Sequence, residues 1–489
     1  PSFQLKDPSL FRQQCYIDGQ WVDADDKKTI AVFNPADGQQ IGTVPAMGTA
    51  ETRRAIETAN AAMPAWRAKT AKERSNILRK WFNLMMENQE DLAVLMTVEQ
   101  GKPLTESRVE IAYGASFIEW FAEEAKRIYG DVIPPHQADK RILVFKQPVG
   151  VVAAITPWNY PLHQIAAKVA YAMAAGCTVV LKPSEVAPID AFMLAEIIHE
   201  VGLPEGVFNL VTGTGPVVGE AIAASPDIDM VSFTGSTRAG KRVMQVGAET
   251  VKKIALELGG KSANIICDDL DAEAFGKAVM AGVGKSMLNS GQTCSALTRM
   301  LVPKSRLAEA ETAAALVANN MKVGDPFAEG TNLGPLASAA QRDRVQGYIQ
   351  KGIDEGAVLV AGGLGAPEGL GTGYYVRPTV FSNVKPGMTI EQEEIFGPVL
   401  SIIPYEDDDD AVRIANGTVY GLAGAVFAAD KERALAIARR MRTGQVEVNG
   451  GAFNANAPFG GYKQSGNGRE YGAFGLHDYL ETKCLIGYK

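Results

Sequence analysis

One cysteine lies in a local sequence suited to attack on a carbonyl carbon. Cys294 follows Gly291, Gln292 and Thr293, and no other cysteine lies near it along the chain. Most free cysteines are small buried apolar residues, but a thiol among glycine and polar residues favours a reactive group. We therefore interpret Cys294 as a candidate nucleophile that forms a covalent intermediate.

Two further residues supply groups that such an attack requires. Glu257 precedes two glycines, which let backbone approach a ligand closely, and a carboxylate near a thiol can activate water. Asn159 follows Pro157 and Trp158, and its amide can donate to a developing oxyanion. Singly, Glu257 is an ordinary strand-end carboxylate and Asn159 an ordinary turn residue. Together with Cys294 they indicate a nucleophile, a base and an oxyanion donor.

Two glycine-rich segments are candidates for phosphate binding. Residues 213–219 are one residue too long for the pattern G-x-G-x-x-G, and Pro216 fits that pattern poorly. Residues 235–241 are similar to a P-loop, but Arg242 stands where a Ser or Thr would hold magnesium, which argues against ATP hydrolysis. A glycine turn that opens a helix still suits a pyrophosphate. The four histidines are scattered, so we expect no catalytic metal.

The composition is that of a folded enzyme with a small-molecule ligand. A chain of 489 residues with 46% hydrophobic and 21% charged residues predicts two to four ordered domains. The net charge of −8 argues against nucleic acid and anionic membranes as partners. Five widely spaced cysteines without a C-x-x-C pattern favour a reducing compartment, and we expect a cytoplasmic protein without signal peptide or membrane span.

The pattern of apolar residues divides the chain into a helical part and two α/β parts. Helical spacing predicts helices at 49–66, 71–86 and 90–99. From Pro148 onward strands and helices alternate, with predicted strands at 149–156, 178–182 and 207–211 and predicted helices at 165–175 and 189–201. Such units form a parallel sheet that binds ligands at its carboxyl ends, where Pro157, Lys182 and Gly213 fall.

A second α/β unit follows Glu257. It begins with a predicted strand at 263–267 and a predicted helix at 271–288, and it extends to about residue 444. Residues 130–149 and 478–488 have the character of strands that belong to neither core. They can pair with each other or with another subunit, and a surface hairpin is the alternative.

Seven motifs in a fixed order resemble those of the aldehyde dehydrogenase superfamily over essentially the whole chain. They begin at Pro157 (PWNYP), Lys182 (KPSE), Phe233 (FTGST), Glu257 (ELGGK), Gly291 (GQTC), Glu394 (EIFGP) and Pro458 (PFGG). The resemblance implies the α/β aldehyde dehydrogenase fold. A Rossmann-like cofactor domain would span 1–129 and 150–258, and an α/β catalytic domain 259–460. A β-bridge at 130–149 and 461–489 would join a homodimer or homotetramer.

The resemblance also implies a mechanism. The Cys294 thiolate attacks an aldehyde, the Asn159 amide and the Cys294 backbone N–H hold the alkoxide, and hydride passes to the nicotinamide. Glu257 then activates water to hydrolyse the thioester, while Lys168 and Glu470 pass protons from this base. Because an ordinary thiol has a pKa of about 8.5, the site must lower it or Glu257 must accept the proton.

Thirteen residues match positions that the family uses to bind its dinucleotide. They are Ile155, Thr156, Trp158, Lys182, Ser184, Glu185, Gly215, Phe233, Gly235, Ser236, Leu258, Glu394 and Phe396. Lys182 and Glu185 resemble the residues that hold the adenosine ribose. A carboxylate accepts hydrogen bonds from a ribose 2′-OH but repels a 2′-phosphate. We therefore expect NAD to be preferred, with NADP possible.

The substrate prediction rests on two missing arginines. The N-terminal third is most similar to succinate-semialdehyde dehydrogenases, but Ala167 and Leu288 stand where that subfamily has arginines for the distal carboxylate. We expect a broad specificity for uncharged aliphatic or aromatic aldehydes, with a tunnel formed by Tyr160, Leu162, Ala167, Leu288 and Phe459. Succinate semialdehyde is the alternative, if Arg299 or another arginine restores carboxylate binding. A CoA-acylating enzyme and a non-catalytic protein are further alternatives.

Overall fold

Strands and helices alternate along the chain, which the computed structural model describes for residues 3–452 and 454–487. In these residues the strands are β1 (Cys15–Ile17), β2 (Gln20–Val22), β3 (Thr29–Phe33), β4 (Gln40–Pro45), β5 (Asp131–Ile133), β6 (Ile142–Pro148), β7 (Val151–Ile155), β8 (Thr178–Lys182), β9 (Phe208–Leu210), β10 (Met230–Thr234), β11 (Lys253–Glu257), β12 (Ala263–Ile266), β13 (Arg299–Pro303), β14 (Val358–Ala361), β15 (Thr379–Ser382), β16 (Val399–Tyr405), β17 (Gly424–Phe427), β18 (Glu447–Val448), β19 (Gly466–Asn467) and β20 (Leu480–Ile486).

The α-helices of the same residues surround these strands. They are α1 (Thr49–Arg67), α2 (Ala71–Glu87), α3 (Gln89–Gln100), α4 (Leu104–Glu124), α5 (Pro161–Ala175), α6 (Ile189–Val201), α7 (Glu220–Ala224), α8 (Thr237–Gly247), α9 (Ala272–Ser286), α10 (Leu307–Asn320), α11 (Ala339–Asp354), α12 (Thr389–Gln392), α13 (Asp408–Ala415), α14 (Lys431–Arg440) and α15 (Gly472–His477). The prediction of an α/β fold is confirmed.

Local sequence accounts for where the central helices begin and end. Thr70 and Glu73 form a capping box at the start of α2, and each side chain bonds the backbone N–H of the other. Pro161 occupies the first position of α5, so this helix begins four residues before the predicted start at 165. Gly176 ends α5 in the left-handed region with a φ of 93°.

The first sheet follows the order β19-β11-β10-β7-β8-β9-β1-β2 in the described residues. The strands from β11 to β9 are parallel, whereas β19, β1 and β2 are antiparallel to their neighbours. Because β7 comes first of the parallel strands and β8 and β10 flank it, the winding direction reverses between β7 and β10. Ligands bind open α/β sheets at such a position, beyond the carboxyl ends of the strands.

The second sheet follows the order β14-β15-β16-β13-β12-β17-β18, and only β14 is antiparallel within the described part. The chain enters it directly from the first sheet, because Glu257 ends β11 and Ala263 begins β12. The Cys294 loop precedes β13. The carboxyl ends of the first sheet therefore lie near the amino ends of the second, and the three candidate catalytic residues fall between them.

A third, antiparallel sheet of the described chain has the order β20-β6-β5. Its register runs from Leu480 opposite Pro148 to Ile486 opposite Ile142. The two segments expected to lie outside both cores therefore pair with each other. The C-terminal segment 461–489 divides, however, because β19 joins the edge of the first sheet and only β20 joins the third. No helix in the described ranges is both long and apolar enough to cross a membrane.

Candidate active site

The loop that carries Cys294 has a strained backbone held by many hydrogen bonds. Asn289 and Ser290 have φ values of 52° and 53°, and Gly291 follows with 74°. A Cβ atom on Gly291 would lie 1.9 Å from the Gly397 carbonyl oxygen, so only glycine fits there. Hydrogen bonds to other segments hold this backbone: Gln100 and Glu106 each bond Asn289, and Ser290 Oγ donates to the Gly334 carbonyl oxygen at 2.9 Å. Backbone strain held in this way is typical of functional loops.

Asn159 faces this loop from the end of β7. Its side-chain nitrogen donates to the Gln292 carbonyl oxygen at 3.1 Å, and the residue is 4% exposed. Its own carbonyl oxygen accepts from Asn289 Nδ2 at 2.8 Å and from Lys102 Nζ at 2.9 Å. The amide is thereby fixed beside the nucleophile loop with one N–H left to donate, as an oxyanion site requires.

Cys294 lies in the wall of two cavities. We call the first the strand-end cavity, of about 170 Å³, which lies beyond β7 and β10. The second is the helix-face cavity, of about 260 Å³, which lies against α5. Cys15 and Cys177 are instead buried in the core, where burial raises the pKa of each thiol to about 12. Cys294 thus lies where two separate ligands can approach it.

Six of the predicted cofactor residues line the strand-end cavity, namely Trp158, Gly235, Ser236, Leu258, Glu394 and Phe396. Ser236 caps α8 by accepting from Ala239 N at 3.2 Å, so the cavity opens onto the start of that helix. The buried Oγ1 atoms of Thr156 and Thr234 have no hydrogen-bond partner. A polar ligand that carries phosphate therefore fits this cavity.

Glu394 approaches the backbone of the Glu257 motif closely. A Cβ atom on Gly259 would lie 2.3 Å from Glu394 Oε2, and Glu394 Oε1 accepts from Gly260 N at 3.1 Å. Burial raises the pKa of Glu394. The two glycines thus let a carboxylate reach the cavity, which suits it to bind ribose hydroxyl groups.

The sequence did not single out two residues that hold this wall. Gln341 Nε2 donates to the Phe396 carbonyl oxygen at 2.6 Å, and Arg344 donates to the Glu394 carbonyl oxygen at 2.7 Å. Both come from α11, far from any recognised motif. They stabilise the segment in which Phe396 has a φ of 61°.

The other predicted cofactor residues lie around this cavity without lining it. Ile155 and Thr156 end or follow β7, and Phe233 lies in β10 with its ring under Gly235. At the end of β8, Lys182 Nζ is 3.6 Å from Glu185 Oε2, and Ser184 lies between them in the chain. Gly215 is exposed after β9. These residues follow successive parallel strands, so a long ligand can extend along the strand ends.

Glu257 is buried without a hydrogen-bond partner for either carboxylate oxygen. Nearby, Lys168 Nζ lies 2.5 Å from Glu470 Oε1 and donates to Ser232 Oγ at 3.0 Å. Burial, together with the charge of Glu470, raises the pKa of Glu257 well above its usual value, although the charge of Lys168 opposes this shift. A carboxylate of raised pKa beside an ion pair can accept and pass on a proton.

The structure does not lower the pKa of the Cys294 thiol. Burial raises it, and the charges of Glu257, Glu394 and Glu470 raise it further. Of the two possibilities left by the sequence, the free protein therefore favours transfer of the thiol proton to a base, with Glu257 as the candidate.

The helix-face cavity contains only two of the predicted tunnel residues, Tyr160 and Phe459. Tyr160, His163 and Gln164 have the i, i+3, i+4 spacing that places them on one face of α5. Leu162 lies on another face, against Gly114, and is fully buried. Ala167 lies one turn further along the helix and is also fully buried. Neither Leu162 nor Ala167 lines the cavity.

The remaining lining residues were not found by sequence reasoning. They are Tyr113, His163, Gln164, Thr293, Ser295, Leu297, Ala423, Gly424, Gln445, Glu447 and Tyr471. His163 Nε2 and Tyr471 Oη are 3.2 Å apart, and burial lowers the pKa of His163 to about 3. This histidine is therefore neutral at physiological pH. The helical spacing from Tyr160 was the one signal that pointed to His163 and Gln164.

A third cavity, of about 320 Å³, adjoins Tyr113 and Tyr160 on the outer side, and we call it the outer cavity. Leu288 lines it and is half exposed, whereas Glu106 and Glu110 contribute carboxylates. No lysine or arginine is among the described residues that line the helix-face and outer cavities.

Arg299 does not reach any of these cavities. It is buried beside Glu391, whose Oε1 is 3.2 Å away, and it donates to the carbonyl oxygens of Lys261, Ile414 and Ala415. Its hydrogen bonds stabilise the end of α13. Arg299 is therefore a structural residue.

Comparisons with known proteins agree with this site. The sequence pattern of the aldehyde dehydrogenase family matches residues 21–485. The glutarate-semialdehyde dehydrogenase of Pseudomonas putida is 49% identical over 484 residues, which cover 99% of each chain. The NADP-dependent succinate-semialdehyde dehydrogenase of Escherichia coli is 46% identical, again with 99% of each chain covered.

A solved structure shares the whole architecture. Aldehyde dehydrogenase C from Pseudomonas syringae, described in complex with NAD+ and octanal, is 47% identical. The TM-score is 0.95, and the match covers 100% of this chain and 99% of the other. The family pattern, the relatives and the fold thus agree with a site in which a partly buried cysteine lies near a buried glutamate and a buried asparagine. The chain belongs to the aldehyde dehydrogenase family and is an NAD(P)-dependent oxidoreductase that acts on aldehydes.

Proposed function

We propose that this enzyme oxidises uncharged, chiefly aliphatic aldehydes to carboxylic acids. The observation that carries the proposal is the absence of lysine and arginine from the described lining of the helix-face and outer cavities. A substrate carboxylate held there would be unpaired, and desolvation of an unpaired charge costs several kcal/mol. The Glu106 carboxyl would in addition repel it when ionised, and burial raises the pKa of Glu106 to about 7.

Each catalytic group has a proposed role. Cys294 Sγ attacks the aldehyde carbon after its proton passes to Glu257. The Asn159 amide and the Cys294 backbone N–H donate to the alkoxide oxygen. Glu394, Ser236 and their neighbours in the strand-end cavity would hold NAD(P), whose nicotinamide would accept the hydride. Lys168 and Glu470 carry the thiol proton away from Glu257, and the restored carboxylate takes a proton from the water that hydrolyses the thioester, which releases the acid and the Cys294 thiolate.

The relatives support both this proposal and an alternative. The octanal bound to the Pseudomonas syringae enzyme is an uncharged aliphatic aldehyde. The Pseudomonas putida and Escherichia coli relatives instead act on semialdehydes of dicarboxylic acids. The charge pattern of the cavities favours the first class.

A direct rate comparison tests the proposal. We would measure NADH formation with hexanal, benzaldehyde, succinate semialdehyde and glutarate semialdehyde under identical conditions, with Cys294→Ala as the negative control. We expect the highest kcat/KM with hexanal and no need for CoA. A higher kcat/KM with either semialdehyde would overturn the substrate class, and a CoA requirement would overturn hydrolysis.

We propose that NAD is the preferred dinucleotide. Glu185 is about one-third exposed, and its carboxylate is 3.6 Å from Lys182 Nζ at the end of β8. Its charge repels a 2′-phosphate, while its oxygens accept hydrogen bonds from a 2′-OH. The ion pair with Lys182 weakens this repulsion, so we expect NADP to be used less efficiently and not excluded.

We propose that the third sheet joins subunits into a homodimer or homotetramer. Val132 is 70% exposed and Ile486 is 79% exposed, and both belong to its strands. Apolar side chains beside unpaired strand edges are typical of surfaces that bind another chain. The five free cysteines support a reducing compartment, for which the cytoplasm is our proposal.

A further inference from the structure

A buried lysine lies directly behind the oxyanion donor. Lys102 belongs to the short connection between α3 and α4, and its side chain is 1% exposed. Lys102 Nζ donates to the Asn159 carbonyl oxygen at 2.9 Å, is 3.4 Å from Glu110 Oε1, and lies 4.0 Å from the centre of the Tyr160 ring. Its ammonium group therefore contacts the backbone of the turn that carries the Asn159 side-chain amide.

The same connection also holds the nucleophile loop. Gln100 Oε1 accepts from Lys102 N at 2.9 Å, and Gln100 Nε2 donates to Asn289 Oδ1 at 3.1 Å. Glu106 Oε2 accepts from Asn289 N at 3.0 Å. Asn289 Nδ2 in turn donates to the Asn159 carbonyl oxygen. The Asn159 carbonyl oxygen thus accepts one hydrogen bond from Lys102 and one from the nucleophile loop.

We propose that Lys102 is a positioning residue that fixes the Asn159 amide relative to Cys294 in aldehyde oxidation. A charged donor forms a stronger hydrogen bond than a neutral one, and rotation of the Asn159 peptide would break both hydrogen bonds to its carbonyl oxygen at once. An oxyanion donor is effective only if it is fixed before the reaction. The proposal rests on the proposed role of Asn159.

Glu110 keeps this lysine paired. Its Oε2 atom is buried without a hydrogen-bond partner, and only Oε1 contacts Lys102. Removal of Lys102 alone would leave an unpaired carboxylate in the core, which is destabilising for reasons unrelated to catalysis. The informative variant therefore replaces both residues, Lys102→Met with Glu110→Gln, and Glu110→Gln alone is its matched control.

The test is a double-mutant cycle with Asn159→Ala, measured with the aldehyde that the wild type oxidises best. We expect Lys102→Met/Glu110→Gln to lower kcat by about 10- to 100-fold, with little change for Glu110→Gln alone or for Lys102→Arg, which keeps a charged donor. In the Asn159→Ala background, we expect the Lys102→Met/Glu110→Gln pair to have no further effect. The dissociation constant of NAD and the rate of Cys294 alkylation by iodoacetamide are expected to stay within about twofold, since neither needs an oxyanion donor.

Several results would overturn the proposal. An equal loss of kcat in the Asn159→Ala background would show that Lys102 acts through another group. If Lys102→Met/Glu110→Gln also weakens NAD binding or slows thiol alkylation, Lys102 has only a structural role. If kcat is unchanged, Lys102 does not position Asn159. If Asn159→Ala itself has no effect, the proposed role of Asn159 fails instead. If Lys102→Met/Glu110→Gln does not fold, Lys102→Ala/Glu110→Gln replaces it in the same cycle, with the same outcomes decisive.

Discussion

The charge of the substrate cavities predicts that one substitution changes substrate preference. Leu288 lines the outer cavity and is half exposed, so an arginine at this position can be accommodated without burial of its guanidinium. Ala167, the other position at which an arginine is missing, is fully buried, and an arginine there would disrupt the packing of α5. We therefore select Leu288→Arg.

The charges around the cavity determine how strongly the wild type should discriminate against succinate semialdehyde. Burial raises the pKa of Glu106 to about 7, so this carboxyl is largely ionised at pH 8, where the rates are to be compared. A substrate carboxylate about 6 Å from ionised Glu106 is repelled by about 3 kcal/mol at an effective dielectric of about 20, and solvent at the cavity mouth reduces this to about 1 kcal/mol. Incomplete solvation adds about 1 kcal/mol. We expect wild-type kcat/KM for succinate semialdehyde to be about 30-fold below that for hexanal.

Leu288→Arg supplies a cation that is half exposed and lines the same cavity as Glu106, so its pairing with the substrate is worth about 1 kcal/mol. The ratio of kcat/KM for succinate semialdehyde to that for hexanal should rise about fivefold. Leu288→Gln is the matched control, and we expect it to leave the ratio within about twofold of the wild type, since it adds polarity without charge. The assay is initial-rate NADH formation at low ionic strength. An unchanged ratio in Leu288→Arg, or an equal rise in Leu288→Gln, would refute the charge argument.

Further predictions concern the dinucleotide, the thiol, a buried histidine and the third sheet. Glu185→Gln should raise the NADP to NAD ratio of kcat/KM by about tenfold, measured by initial rates, because it removes a charge that repels the 2′-phosphate. Since burial and nearby carboxylates raise the pKa of the Cys294 thiol, iodoacetamide alkylation should accelerate steadily from pH 7 to pH 9, and a plateau near neutrality would contradict this. Burial lowers the pKa of His163 to about 3, so the unfolded chain takes up its proton first as the pH falls below 6.5. The free energy of unfolding should therefore fall by about 1.4 kcal/mol for each pH unit below 6.5 because of His163. Denaturant midpoints of His163→Gln should not show this contribution to the pH dependence. Ile486→Glu should yield smaller assemblies by light scattering, and an unchanged mass would contradict the role of the third sheet.

Strand ends were the most predictable part of the molecule. The strands predicted at 149–156, 178–182 and 207–211 correspond to β7, β8 and β9, which are parallel neighbours in one sheet. Parallel strands bring their carboxyl ends to one edge regardless of the length of the intervening chain. It could therefore be inferred from local patterns and the order of the motifs that residues at the ends of these strands lie along one edge of the sheet.

The lining of the substrate cavities was less predictable because it depends on packing between distant segments. Helix α5 is buried on all sides, so hydrophobicity could not show which face meets a cavity, and Gln164 and not Leu162 proved to face it. Tyr113 and Glu110 come from α4, about 50 residues before α5 along the chain, and no local signal connects them with Cys294. Lys102 was missed for the same reason, because its partner Asn159 lies in another element.

The covalent intermediate on Cys294 can be trapped by removal of the base that hydrolyses it. Glu257→Gln keeps the shape of the residue but cannot accept a proton from the thiol or from water. At pH 9 the Cys294 thiol can still lose its proton to hydroxide, so acylation is only slowed, whereas hydrolysis loses the base that activates water and the thioester should accumulate. We would mix this variant with hexanal and NAD at pH 9 and locate the adduct by peptide mass spectrometry. We expect a hexanoyl group on the Cys294 peptide, dependent on NAD and absent from the Cys294→Ala/Glu257→Gln protein. A hexanoyl group on another residue, or steady turnover without accumulation, would contradict this expectation.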